Sequence, residues 1–172
     1  MKKKDMWISI AVIVGAVLIF SLLTRGHGYI KFNTPNAELI LQSGWFNRIT
    51  IKSATEPVKV KAGTHNLRSI SLKNKKDKDT WQIRSRGPWG DLKQIIVTKN
   101  DTTNLNFGPP LLVKPNVYKK KNVVSVGLAI TGKAGEHYQS QVRKNGRQMP
   151  APKLKIIDQS GKELASGKFE YG

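Results

Sequence analysis

Residues 6–23 read MWISIAVIVGAVLIFSLL, a stretch without a charge in which only Ser9, Gly15 and Ser21 break the apolar run. As a helix rising ~1.5 Å per residue this segment would be roughly 27 Å long, close to the ~30 Å hydrocarbon core of a bilayer. Eleven of its residues are Ile, Val, Leu or Phe. At about −0.3 to −0.6 kcal/mol each, insertion sums to roughly −3 to −7 kcal/mol. The run predicts a transmembrane helix that acts as a signal anchor. Lys2, Lys3 and Lys4 precede it beside Asp5, so residues 1–5 are expected to form a cytoplasmic tail and everything beyond the span to lie outside. The rival is a cleaved signal peptide, which has a shorter apolar core of ~7–15 residues and a small-residue cleavage site. Thr24, Arg25, Gly26, His27 and Gly28 supply no such site and form an expected juxtamembrane linker, residues 24–28.

The chain has 172 residues and no cysteine, which removes disulfides, thiolate zinc sites and cysteine nucleophiles together. An exported domain without disulfides fits a bacterial envelope protein, and the expected location is the bacterial inner (cell) membrane. Net charge is +19; beyond residue 5 the chain carries 27 basic and 10 acidic residues. A basic extracytoplasmic part attracts anionic wall polymer, lipid headgroups, an acidic envelope protein or nucleic acid, the last being the least favoured here, and the charge alone does not choose among them.

Past the apolar run the pattern changes to short alternating segments with turn residues between them, the mark of strands. Val58 and Val60 alternate with Lys59 and Lys61, and Leu154 and Ile156 with Lys153 and Lys155. In residues 123–130, Val124, Val126, Leu128 and Ile130 share one face. Asn145-Gly146 suits a tight hairpin because both positions accept positive φ. Gly108-Pro109-Pro110 interrupts any strand or helix and is the expected linker, residues 108–110. The fold class expected is therefore an N-terminal transmembrane helix followed by all-β structure in two small antiparallel β-sandwich modules. These are residues 29–107 and residues 111–172, the second short enough to be incomplete or completed by a partner.

Pro35-Asn36-Ala37-Glu38-Leu39, followed by Glu56-Pro57-Val58-Lys59-Val60-Lys61-Ala62-Gly63-Thr64-His65-Asn66-Leu67, resembles a PEGA-like domain, a small β-sandwich repeat of bacterial envelope proteins. The likeness covers roughly residues 29–72. It departs from the pattern where the usual Gly-Tyr after the last strand gives way to residues 69–74. The resemblance implies an extracytoplasmic scaffold or binding module without catalysis. The second module resembles an immunoglobulin-like or fibronectin type III-like sandwich in strand spacing only.

Chemistry is sparse. His27 and His65 are expected in exposed turns. Glu136-His137 lacks a spaced metal partner, and neighbours on a strand point to opposite faces. There is no Gly-x-Ser-x-Gly turn, no phosphate loop around Gly87-Pro88-Trp89-Gly90 and no paired carboxylates that stand out. No catalytic, cofactor-binding or metal residue is assigned and no cofactor is expected. Trp45, Trp81 and Trp89 could present stacking surfaces. One binding patch is expected if two basic clusters meet at one end of a module: Lys119, Lys120 and Lys121 with Arg143, Lys144 and Arg147. The function expected is that of a membrane-anchored extracytoplasmic structural or interaction protein, without catalysis. The alternatives are an envelope hydrolase with an unrecognised site, or a salt-sensitive binder of nucleic acid or another anionic polymer.

Overall fold

The computed structural model describes residues 26–44, 47–52 and 56–170. In chain order the strands are β1 (His27–Phe32), β2 (Ala37–Ser43), β3 (Asn47–Lys52), β4 (Val58–Lys61), β5 (Gly63–Lys76), β6 (Asp79–Ser85), β7 (Gln94–Val97) and β8 (Thr102–Leu105). After them come β9 (Leu112–Lys120), β10 (Val123–Thr131), β11 (His137–Tyr138), β12 (Arg143–Lys144), β13 (Arg147–Gln148), β14 (Lys153–Ile157) and β15 (Glu163–Lys168). A 3-10 turn, Gly90–Leu92, precedes β7.

The largest sheet runs β13-β12-β6-β5-β2-β3, with β7 paired to the start of β5. β6 and β7 occupy successive stretches of one edge of β5, facing residues 70–76 and 63–66 respectively, while β2 takes the other edge. A three-stranded sheet, β4-β1-β8, contributes Ile30, Phe32, Val60 and Leu105 to a single buried cluster. The large sheet contributes Leu39, Leu41, Ile51, Leu67, Ile70 and Leu72 to the same cluster. Phe32 and Phe107 meet there at 5.1 Å between ring centres, a tilted pairing worth ~0.5–1.5 kcal/mol beyond its burial. The alternation read in Val58-Lys59-Val60-Lys61 has this cause: Val60 is buried and both lysines point to water.

β5 shows why periodicity alone misplaces residues. His65 and Leu67 are buried at odd positions, Ile70 and Leu72 at even ones. The shift is a bulge against β2, where Ile40 faces Ser69 but Leu41 faces Leu67, so Arg68 is the extra residue. A bulge adds one residue to one strand and turns the side chains that follow it to the other face. His65, expected in an exposed turn, is instead a strand residue, paired with Ile95 of β7 and 1% exposed, its Nε2 2.8 Å from the Lys61 carbonyl oxygen.

The expected fold class is corrected. The described residues are strands in several sheets with one 3-10 turn, and no helix among them is long and apolar enough to cross a membrane. An apolar run supplies length and hydrophobicity, but spanning by this route requires a helix of that length, and the described chain contains none. Residues 6–23, the expected transmembrane helix and signal anchor, lie outside the described residues. The inner-membrane location and extracytoplasmic orientation that rested on them are dropped. Nor is the sheet structure two antiparallel sandwiches in series: β1 and β8 are parallel, and β12 and β13, read into the second module, extend the largest sheet beside β6.

The β12–β13 hairpin turns on Asn145 and Gly146, at φ 50° and 79°, the positive values such a two-residue turn demands. Asn145 also ties the hairpin to β6. Its side-chain oxygen accepts the Thr80 N–H at 2.8 Å and its amide donates to Asp79 at 2.8 Å. The Lys144 ammonium lies 2.7 Å from the same carboxylate. Hydrogen bonds from Lys144 and then Asn145 hold the Asp79 carboxyl below its ordinary 3.8. Its contribution is thus present above that pH and is lost as pH falls through the lower folded value. Asn145→Ala should cost about 1–2 kcal/mol, since alanine pays for a left-handed backbone and restores neither hydrogen bond. Faster amide exchange at Thr80 and across residues 143–148 is the readout; unchanged protection would refute the latch.

β9 and β10 form a long hairpin with Val113, Pro115 and Val117 opposite Ile130, Leu128 and Val126. Ile130 is buried at its base, whereas Val117 and Val123 near its tip are 61% and 64% exposed. The base is held by Glu136, which is fully buried and accepts hydrogen bonds from the Gly108 N–H (2.7 Å), the Ala134 N–H (2.9 Å) and the Tyr138 hydroxyl (2.9 Å). Nearby, Gly90, at φ 55°, lets the 3-10 turn approach so closely that a Cβ there would fall on the Ala134 carbonyl. The Asp91 N–H donates to that same carbonyl at 2.8 Å.

Candidate functional site

Cross-strand partners in an antiparallel sheet share a face, so the register of the largest sheet sorts its side chains. One face is the core: Leu39 with Ile51 and Ile70, then Leu72 with Ile83. The opposite face aligns Gln42 with Arg48, Ser71 with Glu38 and Arg84, Gln82 with Lys73 and Arg143, and Arg143 with Gln148. Arg68, the bulge residue, donates to the Gln42 side chain. Arg86 follows the fully buried Ser85 and so returns to the outer side.

Six arginines fall within the described residues, and five of them, Arg48, Arg68, Arg84, Arg86 and Arg143, occupy this one face. The sixth, Arg147, is paired with Lys144 on the other side. Shallow hollows run between them. One of about 110 Å³ is bordered by Gln82, Arg84, Arg86, Gln139, Gln141 and Arg143. The next, about 530 Å³, shares Arg86 and adds Arg48, Arg68 and Ser69. A third, about 460 Å³, shares Arg68 and reaches Asn66 and Gly44. Together they make a track across the sheet. Among the described residues none of the five arginines is in an ion pair, and the face's one carboxylate, Glu38, is 3.8 Å from the Lys73 ammonium.

No family model, curated protein or solved structure matches the chain. The chemistry of the face is therefore the guide to its use. A guanidinium is planar, permanently charged and weakly hydrated, and its fork of donors matches the oxygens of phosphate, sulfate and carboxylate. A face that only had to stay wet would take lysine and glutamate as readily. Most of this chain's cations are in fact lysines, and Lys52 and Lys73 share this face, yet five of the six described arginines gather on it, interleaved with glutamine and serine. The five guanidiniums come from four segments, β3, β5, β6 with its exit, and β12, so the sheet sets the spacing of the backbones that carry them.

The two basic clusters expected to meet are placed on different sheets. Lys119, Lys120 and Lys121 sit at the tip of the β9–β10 hairpin, Arg143, Lys144 and Arg147 on the β12–β13 hairpin, and no strand pairing joins them. Of the six, only Arg143 reaches the track. Lys144 points the other way, to Asp79 and over the Trp81 ring at 5.4 Å. Arg48, Arg68, Arg84 and Arg86 were missed in the sequence; the one local hint was Gln82, Arg84 and Arg86 at alternate positions, and the rest depends on register and a bulge. Glu136 and His137 point to opposite sides, one fully buried and one exposed. Among the described residues no group of three potential metal ligands gathers. Trp81 and Trp89 are half-buried, and Trp45 lies outside the described residues.

Proposed function

We propose that this protein binds an anionic polymer along the arginine track of its largest sheet. The observation that carries the reading is the segregation of arginine: five of six described guanidiniums on one sheet face, with a single carboxylate among them. Side chains on rigid strands suit a repeating ligand whose charges recur along a chain, because each contact adds to the last without further cost in orientation.

The test is binding of the chain to a polyanion across a salt series. With about three charges neutralised, affinity should fall about 40-fold between 50 and 200 mM salt, since the slope of log K against log salt is about −0.9 per contact for a duplex-like charge density. Absence of binding at the low-salt end, or an affinity indifferent to salt, would overturn the proposal.

A further inference from the structure

Asn145-Gly146, the turn of the β12–β13 hairpin, is the one Asn-Gly pair in the chain. The asparagine side-chain amide is thermally labile, most of all before glycine, whose backbone N–H has no side chain beside it. In the reaction the Gly146 nitrogen attacks Cγ of Asn145 and the bond from Cγ to Nδ2 breaks. Ammonia leaves with the Gly146 N–H proton, and a cyclic imide remains. Water then opens the ring at one carbonyl or the other, giving an aspartate or an isoaspartate with no oxidant or reductant. We infer that Asn145 is a self-modification site: the closed hairpin restrains the reaction, the opened hairpin permits it, and the product holds the hairpin off β6.

The closed hairpin restrains it because the reacting amide is engaged at both ends. Oδ1 accepts the Thr80 N–H and Nδ2 donates to Asp79, each at 2.8 Å. The Asn145 backbone N–H donates to the Thr80 carbonyl, also at 2.8 Å. Cγ is thus turned towards β6 and away from the Gly146 nitrogen. Opening is a local event: β12 and β13 are two residues each at the end of the largest sheet, and Asn145, Gly146, Arg147 and Gln148 are exposed, the low-stability end of a fold.

The product does not close again as before. Where Nδ2 donated to the Asp79 carboxylate, a second carboxylate now stands, and like charges about 3 Å apart do not both ionise without cost. The Lys144 ammonium, 2.7 Å from Asp79, is one cation between two anions. The isoaspartate form also adds a backbone carbon to a turn whose register sets Lys144 opposite Arg147. Loss of ammonia to solvent makes the step irreversible. Arg143 then leaves its place beside Gln82; the modification and the release stand whether or not a polyanion binds there.

Peptide mass mapping of the full chain during ageing at mildly alkaline pH tests the inference. In urea Asn145 should convert before any other asparagine. In the native chain it should convert about ten- to thirtyfold more slowly, the change that two lost hydrogen bonds imply. Asp79→Ala, which removes the acceptor and spares the Asn-Gly pair, should recover about tenfold of that rate. Asn145→Asp, a stand-in for the product, should speed amide exchange at Thr80 and across residues 143–148 by at least about tenfold. Asn145→Asp combined with Asp79→Asn reverses the direction of the hydrogen bond and should restore protection to within about threefold. Equal rates in urea and in the native chain would overturn the inference, as would native protection above about a thousandfold, the mark of opening only with the whole fold. So would an Asp79→Ala chain that converts no faster, or a double variant as open as Asn145→Asp alone.

Discussion

Glu136→Ala is expected to destabilise the fold by about 3–5 kcal/mol, the usual consequence of removing one partner from a fully buried charged network. The carboxylate is 0% exposed and serves three donors, the Gly108 and Ala134 N–H groups and the Tyr138 hydroxyl. Each donor stranded in the interior costs ~1–3 kcal/mol, and alanine also leaves a void where the side chain lay against Gly132. Glu136→Gln keeps an acceptor but turns an NH2 group towards a backbone N–H, so it should lose roughly half as much. Urea unfolding gives the difference directly. A shift of the midpoint equivalent to less than about 1 kcal/mol would show that the three hydrogen bonds hold little, against the expectation for buried donors. The same site sets an alkaline limit. Burial first, then the charge of Glu136 and its hydrogen bond, push the Tyr138 hydroxyl upward from the ordinary 10.0. A group whose folded value is raised stabilises fully below its unfolded value and less as pH climbs past it. Stability should therefore decline above pH 10.0, and Tyr138→Phe should flatten that decline.

The second large effect concerns binding. Replacing Arg84, Arg86 and Arg143 together by glutamine keeps the face polar and removes three charges. If each exposed guanidinium contributes about 1 kcal/mol to a polyanion complex, affinity falls about 100-fold at low salt, and the salt slope becomes shallower by about 2.7. The decisive comparison is Lys119, Lys120 and Lys121 changed to glutamine, which removes the same net charge from the tip of the β9–β10 hairpin. That variant should lose less than about threefold. Equal losses in the two triple variants would mean that overall charge attracts the polymer and that the arrangement of arginines is irrelevant.

How much of this was legible beforehand can be judged from particular residues. The turn at Asn145-Gly146 was readable because positive φ is a local demand that few residue pairs meet. Val58 and Val60 were readable because alternation with lysine leaves one choice of inward face. His65 was misread as a turn residue because the start of β5 is a strand only through its pairing with β7, some thirty residues on, which no local pattern records. The arginine face was unreadable for a related cause: Arg143 joins Gln82 only because β12 pairs with β6, across some sixty residues of chain. Glu136-His137 was set aside as a metal site in the sequence and nothing there marked Glu136 as buried, because its three donors, Gly108, Ala134 and Tyr138, come from both sides of the β9–β10 hairpin.

The amino-acid order determined what is local: strand alternation, the tight turns, the absence of disulfides and a strong excess of positive charge. These follow from backbone sterics and from each residue's own chemistry. Tertiary structure alone decided that β12 and β13 extend the largest sheet, that Lys144 turns to Asp79 while Arg143 turns outward, and that five arginines from four segments share one surface. Pairing between distant strands is chosen by the burial of a common core, and the outward positions inherit their neighbours from that choice.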